Sequence, residues 1–185
     1  MRITLGPFNR VEGDLEVHLD LDSAGEVQDA RVNSPLFRGF ENILIGRAPA
    51  DALAIVPRIC GICSVAQSAA AASALADAMG LTPAPNGVLA RNLIQATENL
   101  ADHLTHFYLF FMPDFARAAY AERSWYPAMA DRFAAVKGSA AEEVLPARAN
   151  FLKMMGFLAG KWPHSLALQP GGSTRTMSAA ERIRI

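Results

Sequence analysis

The stretch Arg58-Ile59-Cys60-Gly61-Ile62-Cys63 leads without a break into the alanine-rich run Ser64–Met79 and then Gly80. Small apolar residues fill that run and charges are few, so it predicts a helix buried nearly all round and ended by Gly80. Two thiols three positions apart at the entrance to a helix can converge on one metal, and Gly61 allows the tight backbone between them. Helix N-terminal amides and the nearby Arg58 both favour thiolate, which is the ligand form. Taken alone, the motif leaves several chemistries open. A thioredoxin-type redox pair wants a strand before the motif, and here a short helix and Pro57 come first. Zinc wants a second pair, and the sequence has only these two cysteines. Soft nickel or iron, completed by ligands from elsewhere, fits the donor set better.

On the N-terminal side, Leu15, Val17, Leu19 and Leu21 alternate with Glu16, His18, Asp20 and Asp22, the pattern of a half-buried strand. Ser23-Ala24-Gly25 reads as a turn and residues 26–33 as the returning strand of a hairpin, with His18 on its solvated face. Residues 50–56 predict a short helix stopped by Pro57. Beyond Gly80, residues 81–87 form a loop before a long helix over 88–112 that ends at Pro113-Asp114. Further helices are expected over 114–137 and over 140–159, the latter kinked or restarted at Pro146. His103 and His106 read as hydrogen-bonded histidines packed between helices, residues 107–112 as core, and His164 as a loop-fixing or interface residue.

The expected fold is α+β, mainly α: long packed helices with a small N-terminal antiparallel hairpin or sheet. Residues 1–47 form a β-rich lobe and 48–185 a helical part, together one N-terminal segment of a larger domain. A capped helix is only beginning at Ser178 as the sequence ends, which is the ground for expecting an incomplete chain. A large apolar helical surface should then stay uncovered.

Apolar residues make up 51% and charged residues 19% of the chain, as in a packed globular protein rather than a disordered one. A net charge of −1 provides no basic field for nucleic acid or acidic lipid. The start lacks the apolar core of a signal peptide, and no apolar run is long enough to span a bilayer. The chain therefore reads as cytoplasmic, although a subunit can be exported on a partner's signal.

Five segments occur in order: Arg10-Val11-Glu12-Gly13, Arg38-Gly39-Phe40-Glu41, the Cys60–Cys63 motif, Asp102-His103-Leu104-Thr105-His106-Phe107-Tyr108, and Pro163-His164 with Pro170-Gly171-Gly172. In order and spacing they resemble nickel–iron hydrogenase large subunits, and the resemblance covers essentially the whole chain. It implies that Cys60 and Cys63 are the first pair of thiolates on nickel, with Cys63 bridging to an iron that carries cyanide and carbon monoxide. It implies a proton-ferrying role for Glu12 and a magnesium-type site for Glu41, where a hard cation suits oxygen. Read without the resemblance, Glu12 is a surface acid and Glu41 caps a turn. Dihydrogen would be cleaved heterolytically, and its electrons would leave through iron–sulfur clusters in a small partner subunit, because this chain has no cysteines to hold them.

Several positions depart from the hydrogen-oxidising pattern. Gln67 stands where catalytic members carry histidine, so it can donate a hydrogen bond but cannot titrate. Asp14 replaces another histidine. Ile62 and Phe110 fall where the family lines the end of its gas tunnel, usually with smaller residues. All of these resemble the regulatory, hydrogen-sensing group, which implies oxygen tolerance, low turnover and a sensor histidine kinase as a further partner. An uptake hydrogenase with unusual residues, a non-catalytic piece and an unrelated thiol redox protein remain alternatives.

Overall fold

The computed structural model describes residues 1–8 and 13–184, in two compact units, Met1–Ile45 and Gly46–Ile185. In the first unit, β1 (Arg2–Leu5), β2 (Glu16–Leu21) and β3 (Val27–Asn33) form an antiparallel sheet in the order β1-β2-β3. The alternating sequence does produce β2, and the turn after it is fixed by Asp22. That carboxylate accepts from the backbone N–H groups of Glu26 (3.0 Å) and Ala24 (2.8 Å), which holds it below the usual carboxylate range. Two details differ from the hairpin expected. A third strand, β1, pairs along β2, placing Thr4 opposite His18 with Oγ1 3.0 Å from Nδ1. His18 is thus a half-buried sheet residue rather than a solvated one. The unit ends with a short helix, α1 (Phe40–Leu44).

The second unit is helical. α2 (Ala52–Ile55) lies between two 3-10 turns, Pro49–Asp51 and Val56–Ile59. Pro57 therefore does not stop the segment: it enters the first turn of the second 3-10 piece, where no N–H is needed, and is buried there. α3 (Ser64–Met79) has the bounds read from the sequence and ends at Gly80 in the left-handed region, φ 64°. It is not buried all round. Ser64, Val65, Ser68, Ala71, Ala72 and Ala76 form one buried stripe, while Ala66, Ala70, Ala74 and Ala78 face outward. α4 (Pro85–Thr105) starts earlier than residue 88 because Pro85 suits a first helical turn. Pro113 does not end it sharply: the helix widens into a π-helical turn over His106–Phe111 and then tightens into a 3-10 turn over Met112–Ala116. Of residues 114–137, only α5 (Tyr126–Phe133) is α-helical. α6 (Ala140–Phe151) carries Pro146 inside it, and the break before α7 (Lys153–Ala159) falls at Leu152. A two-residue hairpin, β4 (Leu168–Gln169) with β5 (Gly172–Ser173), precedes α8 (Ala179–Arg184). Among the described residues no helix is long and apolar enough to cross a membrane.

The core of this unit joins Val65 of α3, Ile94 of α4, Met155 and Leu158 of α7, and Leu168 of β4; Ile94 is 0% exposed. Residues 107–112 do not belong to it. Phe107, Phe110 and Phe111 stand half out of the surface, continuing as ring contacts through Phe115 to Trp125.

The first turn of α4 meets the β4–β5 hairpin backbone to backbone. A Cβ on Gly172 would lie 2.5 Å from the Gly87 Cα, and Gly172 has φ +122°, a conformation side chains resist. Gly172→Ala should therefore add backbone strain of about 1–3 kcal/mol to overpacking of similar size, lowering Tm and soluble yield. Unchanged melting of that variant would show that the two backbones can separate freely.

Candidate metal centre

Cys63 occupies the N-cap position of α3, a place usually held by Ser, Thr, Asp or Asn, and its side chain makes no capping bond. The open amides of the first turn are satisfied from a distance instead. The Glu98 carboxylate, on the buried stripe of α4 and only 3% exposed, accepts from Val65 N–H (3.0 Å) and Ala66 N–H (3.2 Å). It also accepts from Ser64 Oγ (3.2 Å) and from the Trp162 indole N–H (2.9 Å). Ser64 Oγ in turn accepts from the His164 backbone N–H at 3.3 Å. Three separate segments thus converge beneath the cysteine turn.

Above it lie the two cysteines, and the neighbouring Cys60 is among the influences that raise Cys63. Gln67, one helical turn on from Cys63, bridges them: its Nε2 donates to Cys63 Sγ (3.2 Å), and its Oε1 accepts from the Cys60 backbone N–H (3.3 Å). Gly61, read as allowing a tight backbone between the cysteines, does so without a left-handed conformation. A Cβ there would meet Pro163 Cγ at 3.8 Å and His164 Nε2 at 3.9 Å, an ordinary contact. His164 itself sits at φ 61° and its backbone is tied to Ser64, in keeping with a loop-fixing residue.

The electrostatics reverse the expectation of a thiolate. The Cys63 thiol is pushed up to about 11. Burial of the sulfur contributes most, although the residue as a whole is exposed, followed by the hydrogen bond and charge of Cys60 and then the charge of Glu98; only the Gln67 bond pulls the other way. The helix amides that should favour thiolate are already engaged by a carboxylate. Arg58 is exposed and lines a neighbouring cleft of about 550 Å³ with Pro57, Lys161, His164 and Arg175.

Two thiols are a fitting half-set for a soft metal such as nickel or iron. Among the described residues no cluster of three or more His, Cys, Asp or Glu side chains could hold a metal, so a metal on these two thiols would need further ligands from elsewhere.

A family profile described as "Nickel-dependent hydrogenase" matches residues 38–134, more than half of the chain and the whole cysteine motif. The chain belongs to the nickel-dependent hydrogenase family. A second profile, "HoxL-like", matches residues 2–34. The chain is 33% identical over 193 residues to the periplasmic [NiFeSe] hydrogenase large subunit of Desulfomicrobium baculatum, covering 97% of this chain and 37% of that one. It is 33% identical over 176 residues to a polypeptide of the F420-non-reducing hydrogenase of Methanothermobacter marburgensis, covering 93% of this chain and 36% of that one. Among solved structures, the Ni-Fe-Se hydrogenase of D. vulgaris Hildenborough superposes with a TM-score of 0.75 at 31% identity, covering 100% of this chain and 39% of that one. The chain therefore spans little more than a third of the length of the relatives it matches.

The other site candidates read from the sequence fall on different elements. Glu12 lies outside the described residues. Glu41 is exposed in the first turn of α1, in the N-terminal unit, and makes no side-chain cap. Ile62 is 58% exposed between the cysteines, and Phe110 is 47% exposed on the π-helical turn, stacked 6.4 Å from His106. His103 and His106 are exposed rather than packed between helices. Glu98 escaped the sequence reading altogether. Its signal was there: Ile94, Thr97, Glu98 and Ala101 fall at buried-stripe spacing, and an acid at such a position demands donors.

Because thiolate is the reactive form, the raised Cys63 fixes a pH profile. In protein prepared without nickel, the rate of iodoacetamide labelling at Cys63, read by mass spectrometry, should keep climbing until the pH reaches about 11. A plateau near pH ~8.5, the value of a free thiol, would sink this account of its surroundings.

Proposed function

We propose that this chain is part of a hydrogenase large subunit in which Cys60 and Cys63 ligate a nickel–iron centre that cleaves dihydrogen heterolytically. The observation that carries the reading is the cysteine pair bridged by Gln67 at the mouth of α3, within the segment matched to the nickel-dependent family. When bound, the centre, with cyanide and carbon monoxide on iron, supplies the Lewis acidity and redox capacity that no side chain has. The chain's own residues hold and tune it. Cys60 and Cys63 give up their protons and become soft anionic ligands. Gln67 orients Cys63 by donating to its sulfur and has no proton to exchange. Glu12 takes the proton released by cleavage. Glu41 supplies an oxygen ligand to a magnesium-type site.

The role we favour is hydrogen sensing with low turnover. Electrons pass to the iron–sulfur clusters of a small partner subunit, while the signal goes to a histidine kinase. The non-titrating Gln67 on the cysteine pair supports this, because a histidine there would add a proton acceptor beside the metal. The exposed apolar side chains of α4 and of the π-helical turn, among them Leu89, Leu93, Leu100 and Phe107, fit a surface that other polypeptide covers. Uptake of dihydrogen for energy is the second reading, favoured by the enzyme names of the relatives.

In the complete protein, Cys60→Ser and Cys63→Ser should each remove nickel, measured by plasma mass spectrometry, and abolish dihydrogen uptake. Full nickel content in both variants would overturn the assignment. We further propose that Ile62 and Phe110 narrow the gas path and retard dioxygen more than dihydrogen. The double variant Ile62→Val, Phe110→Leu should lose activity in air, and parental survival in air would dismiss the filter.

A further inference from the structure

Glu98 is a buried anion in a helix otherwise packed through apolar and small side chains. Left without donors, such a charge is expensive to bury by several kcal/mol, so its four neutral donors define what it is for. Three of them belong to consecutive residues, Ser64, Val65 and Ala66, immediately after Cys63. The fourth, Trp162, stands just before the Pro163-His164 loop whose backbone bonds Ser64. These bonds hold the carboxylate within one to three residues of Cys63, behind the turn that carries both sulfurs.

We propose that Glu98 is a positioning residue for the metal site. By capping α3 from a neighbouring helix, it leaves the N-cap position free for a cysteine and fixes the Cys60–Cys63 turn so that both sulfurs address one metal. Its negative charge lies behind the thiolates and raises their electron density. A local cap could not do both, because Ser, Thr, Asp or Asn at position 63 would replace the ligand itself. The inference rests on the reading of Cys60 and Cys63 as nickel ligands.

The test uses the complete protein with its partner. Glu98→Ala removes cap and charge together, and nickel content should fall about tenfold, the usual loss when a group supporting a metal ligand is removed. Glu98→Gln keeps the shape and one acceptor but removes the charge. It should retain nickel while the midpoint potential of the nickel signal, followed by electron paramagnetic resonance, moves to more positive values, since a nearby negative charge disfavours reduction. A purely structural Glu98 would leave that potential where it is. Should Glu98→Ala fail to fold, Glu98→Gln decides. Parental nickel content in Glu98→Ala, or a parental potential in loaded Glu98→Gln, overturns the proposal. The cysteine variants separate the two failures: if they keep nickel, the ligand assignment is wrong; if they lose it while the Glu98 variants behave as parent, only the role of Glu98 is wrong.

Discussion

The first turn of an α-helix leaves amides without intrahelical partners, and a helix buried at that end must find acceptors for them. In α3 the residue that would ordinarily provide one is Cys63, and a thiol is a weak acceptor. The Glu98 carboxylate resolves the conflict by reaching across from α4. The hydrogen bonds to the anion offset the several kcal/mol that desolvating it costs. What the arrangement supplies is definition. α3, α4 and the segment from Trp162 to His164 are held to one carboxylate, and the cysteine turn has one way to sit on them.

That constraint explains why the helical unit looks as it does. With its floor fixed, α3 needs only one buried stripe, and its small side chains let α4 approach it closely. The same preference for backbone contact recurs at Gly87 and Gly172, where no side chain separates the first turn of α4 from the hairpin. Away from this seam the unit becomes coarse: α5 is short, the aromatic rings from Phe107 to Trp125 touch one another at the surface, and large apolar residues of α4 face outward. Well-packed protein interiors do not leave such residues in water, and large exposed apolar patches mark places where something else binds.

Much of this was legible in the sequence, where local rules acted alone. The bounds of α3 followed from an apolar run closed by a glycine, and β2 from strict alternation. The misreadings share one cause, competition from tertiary context. Pro57 and Pro113 read as stops, yet a proline is accommodated where the helix changes type, from α to 3-10 or from π to 3-10. β1 is four residues long with a single half-buried side chain, too little pattern to reveal a strand that exists because β2 offers an edge. Residues 107–112 look like core by composition, but a run in which nearly every residue is large and apolar turns some of them away from whatever the others pack on. The cysteine pair stood out by its spacing, and Gln67 only through the family resemblance. Glu98 did not stand out, because its meaning depends on a partner 33 residues away.

The same carboxylate also bears on the thiol chemistry, after burial and the neighbouring sulfur. A cysteine at a helix N-terminus is usually acidified by the positive end of the helix. Here the sulfur is partly buried, its neighbour is another sulfur, and that positive end is occupied by an anion, so all three influences keep the proton on. Only Gln67 favours the anionic form, through a single neutral donor. A site built this way has little thiolate to offer an alkylating agent or an oxidant at neutral pH. A soft cation is different, because it brings the positive charge that the surroundings lack and displaces both protons as it binds. Capping α3 from outside therefore does more than shape the turn: it takes the helix amides out of the influences that would acidify Cys63.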